Sequence, residues 1–187
     1  MIESSVVTSC VSGGLFLLGG AAAYVALYNG GPIRELHERA HQLMGMVLTT
    51  GKVTVETHVW KQWSEVSSLR DVWNILTDWG HKGSTHLGAG KSLLPEDWTM
   101  LLFYGAGPAF ELVLNATALG AARRMWSSSP KIAALLAGFG LSGMTNQLRR
   151  ILTAHPGLHC CDYADMFGHL SRLLGRQNGW TKGLART

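Results

Sequence analysis

Charge is scarce in this chain. Of its 187 residues only 15% are Asp, Glu, Lys or Arg, against roughly a quarter in ordinary soluble domains, while 47% are hydrophobic. That shortage points away from a water-solvated globule and toward lipid. Long basic runs are missing as well. The formal charge is +4, but the cations are scattered and form nothing longer than Arg123-Arg124 and Arg149-Arg150, which excludes an electrostatic stripe for nucleic acid. Cysteine is limited to Cys10, Cys160 and Cys161. An odd number in a chain of this size excludes a disulfide scaffold and makes reduced thiols the expectation. The opening "MIESSVVTSC" has no basic residue, only Glu3, so a cleaved signal peptide is not expected. No stretch combines strand alternation with paired turn signals, so strands are not expected either.

What is present is helical and apolar. Residues 4–28 carry no charge over the length needed to cross a hydrocarbon core and read as a transmembrane helix. Ser9 and Gly13, and Gly19 and Ala23, give it small residues at helical spacing for close approach of a neighbour. Asn29-Gly30-Gly31 breaks that span and Pro32 suits the first turn of the next helix. Over residues 33–49 an apolar stripe of Ile33, Leu36, Ala40, Leu43 and Val47 defines an amphipathic helix, with His37 and His41 flanking it. Val59, Trp63, Val66, Leu69, Trp73 and Leu76 predict a further amphipathic helix, rich in Trp and suited to a membrane surface or a partner. Residues 80–97 read as a loop. Its "GAGKS" lacks the spacing of a phosphate-binding loop and has no strand leading in, so no nucleotide is expected.

Residues 98–122 and 131–150 are apolar and predict a helical hairpin long enough to span. Pro108, Glu111 and Asn115 interrupt the first arm; a buried Glu111 needs a partner, for which an Arg of a neighbouring subunit is the expectation and a carrier site the alternative. Ala134, Gly138 and Ser142 line the second arm with small residues at four-residue spacing.

"HERAH", residues 37–41, resembles the zincin motif, in which two His four apart on a helix bind zinc and the Glu between them activates water. The resemblance covers five residues and implies His37 and His41 as ligands and Glu38 as base. Arg39 places a cation inside the motif, and no third ligand follows in a familiar place; only Glu56 or His58 lies downstream nearby. The reading from sequence is therefore that the match is chance. The tail packs His155, His159, Cys160, Cys161 and Asp162 together. Adjacent Cys do not suit one tetrahedral zinc, and Pro156-Gly157 separates the two His, so a turn capped by His and Asp side chains is expected there.

These readings combine into an all-α membrane protein with one to three transmembrane helices and amphipathic helices outside the bilayer. It is laid out as a single unit over 1–187: a transmembrane helix at 4–28, amphipathic helices and loop at 33–97, an apolar hairpin at 98–150 and a polar tail at 151–187. No catalytic, cofactor or metal residue is assigned. The expected role is a non-catalytic accessory subunit of a large mitochondrial inner-membrane complex, respiratory chain or ATP synthase, with a thylakoid location as the alternative. Its partners would be the other subunits and lipid, with no nucleic acid. The alternatives are a membrane zinc hydrolase using His37, Glu38 and His41, and a small carrier or channel component using Glu111.

Overall fold

The computed structural model describes residues 2–29, 31–57, 63–77, 83–154 and 162–175. Within them, helices dominate: α1 (Ile2–Asn29), α2 (Pro32–Leu48), α3 (Leu69–Thr77), α4 (Glu96–Met125), α5 (Pro130–Thr153) and α6 (Asp162–Leu173). The all-helical class agrees with the sequence reading. One exception is a two-stranded antiparallel sheet of β1 (Val53–Thr57) and β2 (Gly83–Leu87), with Val55 opposite Thr85. The expectation of no strand is corrected here. Val53 and Val55 do alternate with Thr54 and Glu56, but the partner strand lies beyond α3, so no turn signal joins the two in sequence.

The chain divides into two compact units that interleave in sequence. The first holds residues 1–33, 60–80 and 111–147. Its core is aromatic: Tyr24 stacks on Tyr28 with centroids 5.6 Å apart and meets the edge of Phe139 at 5.3 Å. Gly20 and Gly138 bring α1 and α5 to backbone contact. A methyl group at Gly138 would overlap the Leu17 carbonyl, and one at Gly20 the Leu135 carbonyl. On α5 the contact uses Gly138 of the expected small-residue stripe, but on α1 it falls at Gly20 rather than on the expected pairs, since a methyl group at Gly13 or Gly19 meets nothing within 4 Å. Polar side chains fill much of the remaining interior. Glu111, Asn115, Asn146 and Gln147 are buried, whereas Leu15, Leu18, Val113, Ile132 and Leu141 are exposed. By length and composition Val11–Asn29 can cross a membrane, and only 17% of its apolar window is buried, unlike a core helix of a soluble protein.

Short α3 begins on a reciprocal cap. The Ser68 hydroxyl accepts from the Asp71 backbone N–H, and the Asp71 carboxylate accepts from the Ser68 backbone N–H at 2.8 Å, the two-way arrangement of a capping box. The helix is shorter than the periodicity suggested, and Leu69 and Trp73 on its expected apolar face are exposed. Val59, Trp60 and Trp79 lie outside the described residues.

The second unit holds residues 34–59, 81–110 and 148–187. Here α2 runs into the sheet. The Leu93 N–H donates to the Leu48 carbonyl and the Gly88 N–H to the Lys52 carbonyl, so the "GAGKS" segment serves as a backbone brace against 48–52. Strand β2 does lead into it, contrary to expectation, but α4 starts only at Glu96, which leaves no helix N-terminus directly after the lysine to cradle phosphate. The buried face of α2 keeps only part of the expected apolar stripe, Ile33 being buried. Leu36, Leu43 and Val47 are more than half or about half exposed, whereas His37 and His41 are among the most buried residues.

Candidate metal centre

Helical spacing puts His37 and His41 one turn apart on α2, and burial of that face directs both rings inward. Their Nε2 atoms lie 3.1 Å apart. The third member is Asp162, 125 residues beyond His37 and the first residue of α6. Its Oδ2 is 2.8 Å from His37 Nε2 and its Oδ1 is 3.4 Å from His41 Nε2. Two bonds of ~2.0–2.1 Å at a tetrahedral angle separate ligand atoms by about 3.3 Å; the two Nε2 atoms are near that separation, each ring is met by a different Asp162 oxygen, and with one ligand atom per residue all three lie within 4.8 Å of one another.

The tautomer also suits a metal. His41 Nδ1–H donates to the Phe103 carbonyl at 2.6 Å, which leaves Nε2 with its lone pair turned toward His37 and Asp162. Pro108 cannot donate to the carbonyl four residues back, that of Tyr104 beside Phe103, and crowds it, which loosens the helical ladder at this turn. Next to it, Gly107 approaches both rings so closely that a methyl group would lie 2.5 Å from His41 Nε2 and 2.6 Å from His37 Cδ2. Only glycine leaves room for both imidazoles at this point of α4.

Burial pushes the Asp162 carboxyl up, but the hydrogen bond from His37 and the neighbouring His41 imidazole outweigh it and hold the group well below the usual carboxylate range. Arg150 adds a third contact, its Nη2 donating to Asp162 Oδ2 at 3.3 Å while its guanidinium sits 5.7 Å from the Tyr163 ring centroid. Glu38, beside the first ligand, is anchored rather than free. Its Oε2 accepts from the Thr85 hydroxyl on β2 at 2.7 Å. Arg39, the cation inside the motif, turns outward to Glu35 and Gln42, both at 2.9 Å.

Of the residues considered from sequence, the fold joins His37 and His41 to Asp162, a residue read there as part of a capped turn. Asp162 instead opens α6 and takes part in the cluster. Glu56 sits on β1 opposite Ser84 and is not among the cluster. His58, His155, His159, Cys160 and Cys161 lie outside the described residues. Glu111 meets Gln147 of α5, whose amide donates to Oε2 at 2.5 Å, a hydrogen-bond partner within the chain. Gly107, Phe103, Arg150 and Thr85 were not foreseen. "GAGP" at 105–108 was the only available hint, since glycines beside a proline in an apolar helix mark close approach or a loosened ladder. Comparisons with family models, curated proteins and solved structures find no match to this chain.

Proposed function

We propose that this chain is a metal-dependent hydrolase, and more specifically a membrane-associated zinc enzyme that cleaves amide bonds. The convergence of His37 Nε2, His41 Nε2 and the Asp162 carboxylate, with all ligand atoms within 4.8 Å of one another, carries the reading. Two imidazoles and one carboxylate form a donor set that suits zinc, and three protein ligands rather than four are the mark of catalytic sites. Zinc in such a set supplies Lewis acidity, polarising a carbonyl and acidifying water.

The chain's own residues supply the rest. His41 is fixed in its ligating tautomer by the Phe103 carbonyl. Asp162 stays ionised and is oriented by Arg150. Glu38, adjacent to His37 in sequence but outside the three-residue cluster, would leave the Thr85 hydroxyl to take a proton from attacking water at its carboxylate and return it to the leaving amine.

The membrane part rests on α1 and on an inverted distribution of side chains. The first unit exposes Leu, Val and Ile and buries Glu, Asn and Gln, the arrangement expected where hydrocarbon rather than water is outside. On this reading α1, and α4 and α5 as a hairpin, face lipid.

The test is zinc analysis of the full chain purified in mild detergent, alongside His41→Ala and Glu38→Gln and a panel of quenched fluorescent peptides. One zinc per chain, lost in His41→Ala and kept in Glu38→Gln while peptide cleavage disappears, supports the proposal. A zinc-free chain co-migrating with a large respiratory or ATP synthase complex would overturn it in favour of the accessory-subunit role, whose neighbours would occupy the same exposed apolar faces.

A further inference from the structure

We infer that Asp97, His169 and Arg172 form a latch that positions the third metal ligand from about two helical turns away; this rests on reading His37, His41 and Asp162 as a metal site. Both His ligands share α2, so their spacing is set within one helix. Asp162 is different. It opens α6, a helix of 12 residues, too short to hold its place without tertiary contacts.

The contacts that seat α6 on α4 run antiparallel. Asp97 Oδ1, in the first turn of α4, accepts from Arg172 Nε at 2.8 Å and lies 2.8 Å from His169 Nδ1, which is also 2.6 Å from Arg172 Nη2. One pair of turns along, the Tyr104 ring stacks on His169 with centroids 5.9 Å apart and an interplanar angle of 27°. Next, Gly105 faces Met166, whose Cε would lie 3.6 Å from an added methyl group. Asp162 then meets His37.

An isolated exposed ion pair would position little. This one has His169 at its centre, with only 13% of its side chain exposed and Tyr104 against its face. From His169 to Asp162 the helix rises about 10 Å. A small tilt at the latch therefore displaces the carboxylate by a distance that matters, because metal–ligand bonds tolerate roughly ±0.2 Å.

The experiment measures zinc affinity of the full chain in detergent by competition with a chromophoric chelator. It compares Asp97→Asn, His169→Ala and His169→Asn, each alone and combined with Asp162→Ala. Asp97→Asn and His169→Ala should weaken zinc binding about three- to tenfold, and His169→Asn, which keeps a donor near the Nδ1 position, should recover part of the loss. In the Asp162→Ala background the latch variants should cause no further loss, since they act through that carboxylate. Unchanged affinity, or an equal loss with and without Asp162, would overturn the latch, the second outcome marking a general structural defect. Should Asp97→Asn fail to accumulate, Arg172→Gln at the exposed end replaces it with the same expectation. If wild type binds no zinc, or His41→Ala binds as wild type does, the metal-site reading itself falls. Zinc lost in His41→Ala but unaffected by the latch variants removes the latch alone.

Discussion

Gly107→Ala is the smallest change that separates a metal centre from an ordinary buried His pair. The added methyl would sit 2.5 Å from His41 Nε2, whereas ordinary van der Waals contact begins near 3.4 Å, so a shortfall of about 0.9 Å must be absorbed. Neither partner can retreat cheaply. Gly107 is held in α4, and His41 is tied at its other nitrogen to the Phe103 carbonyl on that same helix. Overpacking of this kind costs about 1–3 kcal/mol of stability, a loss most folded chains survive. Its effect on zinc should be larger. Displacing either Nε2 by even half of the shortfall exceeds the tolerance of a metal–nitrogen bond, and a loss of about 10- to 100-fold or more in affinity follows. The assay is zinc content after dialysis together with chelator competition, with melting in the presence of EDTA as the folding control. A Gly107→Ala protein that folds and binds one zinc with wild-type affinity would refute the geometry.

Other expectations follow from the same structure. Asp162→Asn should lower metal-free stability most at neutral pH. The folded carboxyl titrates below its unfolded value of about 3.9, so its contribution is present above that value and is lost as pH falls toward the folded one. Melting curves of both proteins from pH 7 to pH 3 in EDTA should therefore converge toward acid; a gap that widens would contradict the sign. Gly138→Leu drives a side chain into the Leu17 backbone and should cost about 3 kcal/mol or more, read as loss of folded protein in detergent, with Gly13→Ala, which meets nothing within 4 Å, as the silent control. Asn115→Ala should be neutral or stabilising, despite complete burial. Neither polar atom of that amide has a hydrogen-bond partner among the described residues, and removing an unsatisfied buried group recovers about 1–3 kcal/mol. A marked loss of stability on that change would show that the amide is satisfied after all.

Much of the helical layout was legible in the residues, because periodicity and breakers act locally. Pro32 starts α2, the apolar segments become α4 and α5, and Gly138 lies where a close contact was expected. Orientation was less legible. Of the apolar stripe Ile33, Leu36, Ala40, Leu43 and Val47 on α2, Ile33 is buried, but Leu36, Leu43 and Val47 are exposed. Hydrophobic pattern reports which side differs from the other, and only the surrounding chain decides which side is inside. Strand β1 escaped notice for a related reason: its alternation is local, while its partner lies on the far side of α3.

The candidate site divides along the same line. Sequence alone determined that His37 and His41 share a helix face, since a four-residue step brings side chains to one side of any α-helix. It could not determine that Asp162 joins them, because that carboxylate is brought in from a distant helix by contacts with no fixed spacing. Nor could it show that Arg39 turns outward, that the Phe103 carbonyl holds His41, or that Gly107 leaves room for two imidazoles. Those are properties of how α2, α4 and α6 pack. A motif of five residues supplied two candidate ligand atoms; tertiary structure alone supplied the third and the room around them.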